Sequence, residues 1–432
     1  MKIETLKKSH LKRNIIIGVI AVLFISAIIL NFTRAKYRTT QSIPLVNGTI
    51  NYTLPDLNIV GLYIDGEEAT ELDSSKTYTL NTEQSACTYK DGSTIDNLDI
   101  SYESETGKLT ITPFTTKGTK CTFYFEEYNP TVGNTILVNY PTQLTRTNFS
   151  TTITNTTTGT IYYEDTSKGR TYYFAGNPTD NWVYFGNFYW RIIRINEDGS
   201  LRIIYQGTSA NTTGTGTQTG TSAFNSSYNN NAYVGLKYTT NNVHGTGTNS
   251  TILTALNTWY TNNLSSYTDK IDGNAGFCGD RTPSTSSSST NNQGGTGTTT
   301  TYYAGYIRLI TNKQPTFECS NSSDLYTTSG SSQGNKALQY PIGLITADEV
   351  AFAGGVYGKT NESYYLYTGQ AYWTMSPYYF SGSDASVFRV DSDGWLYSNG
   401  VNNTRGVRPV INISRDVTIT GSGTISNPYI VN

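Results

Sequence analysis

Two apolar arms around a polar turn set the strongest constraint on this chain. WVYFGNFYWRIIRI and LRIIYQG flank the turn at 197–200, Glu-Asp-Gly-Ser. Asp-Gly tolerates the positive φ of a tight turn, and aromatic and β-branched arms favour strands. The arms read as a hairpin whose Ile192, Ile193, Ile195, Leu201, Ile203 and Ile204 fill a core.

The elements around this hairpin follow from pattern and turn chemistry. Residues 208–221 are Thr/Gly-rich and read as a flexible surface loop. Residues 250–264 carry apolar side chains at 252, 253, 256, 259, 260 and 264, one face of a helix, with Ser250 or Asn249 as its cap. Between Cys278 and Cys319 lie a Ser/Thr/Gly loop and a segment, YYAGYIRLI, that reads as a strand. In GLITADEVAFAGG, Thr346 and Glu349 match a capping box, and Gly354 with Gly355 ends a short helix. The stretch 372–413 then reads as short strands. Val387, Val390 and Leu396 are buried positions, a turn lies at 392–394, and GVRPVINI closes it with Val407, Val410, Ile411 and Ile413 inward.

The amino-terminal part has another character. Residues 14–33 form an uncharged apolar run of twenty, the length that crosses a bilayer as a helix. Lys2, Lys7, Lys8, Lys12 and Arg13 place the preceding tail in the cytoplasm. No small-x-small cleavage pattern follows, so a signal anchor is expected rather than a cleaved leader. LNIVGLYIDG, TYTL, LDISYE, KLTITPF and TFYFEE alternate as strands of a small β-sandwich. The expected organisation is a basic tail at 1–13, an anchor at 14–33, a stalk at 34–49, a β-sandwich spacer at 50–127, a Thr/Asn-rich linker at 128–158 and a head at 159–432. The fold class is mainly β with an α+β head.

Composition removes several functions. The formal net charge is −2, and beyond the basic residues flanking the apolar run nothing suggests nucleic acid, which needs clustered Lys and Arg to neutralise phosphates. The four cysteines fall into two local pairs. In an exported chain the expected disulfides are Cys87–Cys121 and Cys278–Cys319. Zinc is the alternative, but there is no CxxC and His10 and His244 are the only histidines. The same shortage argues against Ser/His/Asp catalysis, as does the lack of a GxSxG elbow. Neither a metal nor another cofactor is expected, and the chain reads as a non-enzyme.

The order of hairpin, helix, insertion, ITADEVAFAG helix, YWTMSP and GVRPVINI over 159–432 resembles the C-type-lectin-like fold. The nearer branch is the one with the formylglycine-generating, sulfatase-modifying domains. WRIIRINEDGSLRIIY, ITADEVAFAG and GVRPVI also resemble surface proteins of Gram-positive gut bacteria. The resemblance implies that the first and last strands of the head pair and that 376–405 lies on a ligand face. The calcium motifs of sugar-binding lectins, Glu-Pro-Asn or Gln-Pro-Asp and Trp-Asn-Asp, do not occur. Asp384, Asp391 and Asp393 could offer oxygen ligands, but Asp391-Ser-Asp-Gly reads more simply as a turn. The stretch also resembles the variable region of diversity-generating-retroelement targets, whose adenine mutagenesis yields Asn, Tyr, Ser, Asp, Gly, Thr, Phe and Arg. From 378 to 405 there is no Lys, Glu, Gln or Met; Trp395 departs from the pattern.

The expected ligand-binding residues are Tyr378, Tyr379, Ser381, Ser383, Ser386, Phe388, Arg389, Asp391, Asp393, Tyr397, Asn399, Asn402, Asn403 and Arg405. Tyr and Arg act as anchors and Ser and Asn as adaptable hydrogen-bonders for a protein or glycan. Strand alternation turns some of them inward, Phe388 first. The expected whole is a cell-membrane, single-pass adhesin or receptor-like protein with its carboxyl-terminal domains outside. A sulfatase-modifying-type enzyme and a structural envelope or pilus-like subunit are the alternatives. A polypeptide starting at Arg38 should stay in the aqueous phase while the full chain partitions into membranes. Recovery of the intact full chain in the soluble fraction would overturn the anchor.

Overall fold

The computed structural model describes residues 58–432 apart from 75, 105–106, 113–117, 129 and 285–293. The tail, apolar run and stalk lie outside the described residues. Among the described residues no helix is long and apolar enough to cross a membrane. The molecule is mainly β, with few helices and several mixed sheets, in two compact units, Met1–Asn129 and Pro130–Asn432.

In the first unit, Lys120–Glu127 lies parallel to Asn58–Ile64 and antiparallel to Tyr78–Leu80 and Ala86–Thr88. Asp99–Glu103 and Lys108–Thr112 form a separate hairpin. Alternation in KCTFYFEE turns Cys121, Phe123 and Phe125 inward, where they share one core with Leu62, Ile100, Leu109 and Ile111. Cys87 and Cys121 are direct cross-strand partners and are joined as a disulfide, as is the pair Cys278 and Cys319 in the second unit. Two disulfides fit an oxidising, extracytoplasmic environment.

The second unit is built on the hairpin expected at 182–207. Phe188–Ile195 pairs with Trp182–Phe185 and with Leu201–Gly207, and the latter pairs in turn with Val410–Ile413. All six expected core residues of the hairpin are buried, as are Val407, Val410, Ile411 and Ile413. Thr251–Asn263 forms the expected helix, with Ser250 Oγ accepting the Leu253 N–H. It sets Ile252, Leu253, Leu256 and Tyr260 into the same core. The capping box of Ala347–Ala353 forms on both sides: Glu349 N donates to Thr346 Oγ1 and Thr346 N to Glu349 Oε2. Gly354 ends that helix at φ +116, where an added Cβ would lie 3.0 Å from the Ile153 carbonyl oxygen.

Four expectations are corrected. Residues 130–158 are not a linker. Val132–Leu137 is a helix capped by Thr131, with Val132 and Ile136 buried, and Thr142–Leu144 runs parallel to Thr160–Thr166. From the same segment, Arg146 donates to the carbonyls of Ala351 and Phe352 at 2.7 and 3.2 Å, satisfying acceptors that a helix end leaves open. Residues 208–221 are pinned rather than free: Gly214 N donates to Thr368 O, Thr219 N to Val407 O, and Thr217 is buried.

YYAGYIRLI is a strand only over Thr301–Tyr302. It continues as one turn, Ala304–Tyr306, and a π-helix, Ile307–Asn312. Arg308 on that π-helix reaches Asp348 through Nε and Nη2 and Asp280 through Nη2, each at 2.7 Å. These long-range pairs override the local strand preference. Lastly, the carboxyl-terminal strand Tyr429–Val431 pairs in parallel with Trp182–Phe185, not with the head's first strand.

One buried ion pair joins hairpin and helix. Arg202 Nε lies 2.5 Å from Glu349 Oε1, and Arg194 Nε approaches the same oxygen at 3.2 Å. Burial pushes the Glu349 carboxyl up, but the two guanidiniums and the Thr346 N–H outweigh it and hold it below its ordinary 4.5. A carboxylate with a lowered folded pKa contributes stability fully present above its unfolded pKa. That contribution is lost as pH falls below 4.5 through the folded value. Glu349→Gln should cost about 3–5 kcal/mol at neutral pH by stranding buried Arg202. It should also flatten the decline of the melting temperature in acid. Calorimetry of both chains between pH 7 and pH 3 checks this; an unchanged acid slope assigns the loss elsewhere.

Candidate functional site

The expected site residues lie on Tyr372–Phe380, Ala385–Val390, Leu396–Gly400 and Thr404–Gly406, strands of one six-stranded sheet, and in the turns between them, which hold Ser381, Ser383, Asp391, Asp393, Asn402 and Asn403. The turn at 392–394 forms as expected. Gly394 has φ +80, and an added Cβ would lie 1.9 Å from the Asn361 carbonyl oxygen, so only glycine fits. Ser381, Ser383, Tyr397, Asn402 and Asn403 are exposed. Tyr378, Tyr379, Ser386, Arg389, Asp391, Asp393, Asn399 and Arg405 are half-buried. Phe388 is fully buried and leaves the face, the inward turn expected of it first, with Tyr378 covering it edge-on at 5.0 Å.

The rings form one strip. Tyr379 contacts Tyr302 at 4.5 Å, Tyr302 contacts Tyr306 at 4.6 Å and Tyr306 contacts Tyr378 at 5.0 Å. Tyr378 stacks with Tyr357 at 6.0 Å, and their hydroxyls hydrogen-bond at 2.9 Å. Tyr357 stacks with Tyr397 at 5.7 Å, and Tyr397 with Trp395 at 4.8 Å. All seven rings are partly exposed. Tyr302, Tyr306 and Tyr357 were not anticipated. Tyr302 ends the strand Thr301–Tyr302 and Tyr306 lies in the turn Ala304–Tyr306, so reading the whole segment as one strand hid their contact.

A charged group closes one end of the strip. Arg389 Nη2 donates to Asp391 Oδ2 at 2.6 Å, and the Trp395 indole donates to the same oxygen at 2.9 Å. The Arg389 guanidinium sits 5.7 Å from the Tyr397 ring centre. Burial pushes the Asp391 carboxyl up. The Trp395 indole, the Ser392 N–H and the charges of Arg389 and Arg405 overcome it, so the carboxyl is held below 3.8. Arg405 Nε is buried with no hydrogen-bond partner among the described residues. Ser381 and Ser383 are tied into their own turn, where Ser381 Oγ accepts the N–H groups of Ser383 and Asp384. Asn403 caps the Gly400 carbonyl.

Other chemistry is weaker in form. No group of three or more metal-ligating side chains occurs among the described residues, and Asp391 and Asp393 serve the turn. His244 Nδ1 faces buried Asp324 at 3.0 Å, but its Nε2 faces the Asn321 amide at 3.1 Å, not a hydroxyl nucleophile. A polar cavity of about 410 Å³ elsewhere in the unit has Cys278 and Cys319 in its wall, joined to each other.

No family model, curated protein or solved structure matches this chain.

Proposed function

We propose that this protein is an extracellular ligand-binding protein, adhesin- or receptor-like, held to the cell membrane by residues 14–33. The strip from Tyr379 to Trp395, with Arg389, Arg405 and the exposed Asn402, is its binding face. The observation that carries the reading is the unbroken contact of seven half-exposed rings beside an unpartnered guanidinium nitrogen. Aromatic and Arg anchors supply most interface energy, and Ser and Asn supply adaptable hydrogen bonds. Several rings lie nearly parallel to their neighbours, with interplanar angles of 14° for Tyr357–Tyr378 and 13° for Trp395–Tyr397. Their faces are spent on each other, and edges and hydroxyls remain. That favours a protein surface over a stacked sugar ring as ligand.

The C-type-lectin-like fold remains part of the proposal, supported by the order of hairpin, helix, capped helix and late strands. So does diversification of 378–405, supported by its residue palette. A reverse-transcriptase gene beside an imperfect copy of the codons for 376–410 would support it; sequenced isolates with an invariant stretch would remove it.

Replacing Tyr379, Tyr397 and Asn402 together by Ala should shift melting of the second unit by only a few degrees. The same change should abolish capture on arrays of surface proteins and glycans. Truncating Val410 or Ile411 to Ala should cost about 2–5 kcal/mol and reduce capture only through unfolding. If the triple variant melts the unit yet keeps its capture per folded molecule, the strip is structural.

A further inference from the structure

The polar cavity in the second unit lies between the central hairpin, the Cys278–Cys319 disulfide and the start of Ala347–Ala353. Its volume of about 410 Å³ falls in the range of small-molecule sites. Four cations and six carboxylates line it. Deep in the wall the carboxylates are already engaged. Both oxygens of Asp348 accept from Arg308, and Asp280 accepts from Arg308 and Ser320. Glu349 is held by Arg202, Arg194 and Thr346.

The guanidiniums are not used up in the same way. Arg308 bonds through Nε and Nη2, leaving Nη1 with no partner among the described residues. Arg194 has one hydrogen bond, from Nε to Glu349, and its Nη1 is 3.8 Å from Glu197. Both side chains keep some exposure, 18% for Arg308 and 13% for Arg194. The unspent capacity of the inner wall is therefore guanidinium N–H, which matches a carboxylate in plane and in charge. Asp198 and Glu318 in the lining are exposed, and Glu197 is half-buried, so the outer wall is acidic. Arg308 stands on a π-helix, an irregularity that recurs at functional sites. Phe317 adds one apolar face, stacked on Phe352 at 3.9 Å.

We propose that this cavity is a second ligand site that takes a small zwitterion, a free amino acid or a dipeptide. Its carboxylate is taken by Arg194 and Arg308, and its ammonium by the carboxylates of the outer wall. A simple anion is disfavoured because carboxylates outnumber cations around it. A simple cation leaves the inner guanidiniums unmatched. A zwitterion satisfies both at no net charge.

The test is calorimetric titration of the full chain in detergent micelles. The probes are L-alanine, L-glutamate, L-lysine and glycylglycine, each with its methyl ester, and glucose as a neutral polyol. At least one free zwitterion should bind, and its methyl ester, which masks the carboxylate, should bind about tenfold or more weakly, the weight of one charge-assisted hydrogen bond. Arg194→Gln should weaken binding about tenfold, and Glu318→Gln, at an exposed position, about two- to threefold. Silence with every zwitterion at about 10 mM, equal affinity for acid and ester, or heat from glucose alone would overturn the proposal. Should Arg194→Gln fail to fold, the comparison of acid with ester on the unaltered chain decides it.

Discussion

The second unit depends on a carboxylate shared by two arginines. Glu349 belongs to a helix of seven residues, too short to persist without tertiary support. Its side chain reaches back to the Thr346 N–H and forward to Arg202 and Arg194 on the central hairpin. The same carboxylate thus starts the helix and fixes it to the sheet. Burial makes the contact costly: desolvation pushes the Arg202 guanidinium down to about 10, with Glu349 pulling it back. Such a pair is weak as a source of net stability but strict about geometry, because either partner alone would be stranded in the core. Arg146 completes the other end of the helix by donating to its last carbonyls. A seven-residue segment is therefore held at both termini by side chains far away in sequence.

That dependence explains which parts of the fold were legible. The central hairpin and Thr251–Asn263 could be read because their signals are local: an Asp-Gly turn, a 3.6-residue apolar period, a serine cap. The capping box could be read for the same reason. YYAGYIRLI could not. Its aromatic and β-branched residues favour a strand, and what bends it into a π-helix is the Arg308 contact with Asp348 and Asp280, forty and twenty-eight residues distant. Residues 130–158 were hidden by their Thr- and Asn-rich surroundings, although Val132, Ile136 and Tyr140 recur every four residues and all three are buried. The proposed binding face was half legible. Residue type in 378–405 pointed to exposed Tyr, Asn and Arg, but Tyr302, Tyr306 and Tyr357 join the strip only through pairing and packing.

The second unit buries several arginines. Charged residues are 14% of the sequence, yet Arg191, Arg202, Arg281 and Arg408 are all buried. Arg408 donates to the Tyr205 and Leu366 carbonyls and to Gln206, and lies 4.7 Å over the Tyr372 ring. Arg191 donates to Asn181 and Pro178 and lies over Trp182 at 4.2 Å. Arg281 is clasped by Asp324 and two carbonyls. In each case a planar guanidinium donates to backbone carbonyls, those of Leu366 and Gly245 in connections and those of Tyr205, Lys237 and Pro178 in strands. This is how a unit with many short strands and long connections keeps its buried acceptors paired.

The consequence for function is a division of labour between chemistries. Where the interior is pinned by arginine fans and a shared carboxylate, the surface is released from that duty. Among the described residues the side chains of Ser381, Ser383 and Asn403 bond only within their own turns, and Tyr397 rests on its ring neighbours. Val387, Val390 and Leu396, interleaved with them along the same strands, are fully or almost fully buried. Substitution at the outward positions leaves this inward set in place, so one scaffold can carry different faces. Asp391 marks the limit of that freedom. It accepts from both Arg389 and Trp395, so changing Asp391 takes the partner from both donors, and changing either donor costs Asp391 one bond. Trp395, the residue that departs from the palette of its stretch, is thereby the one whose side chain the charged cluster requires.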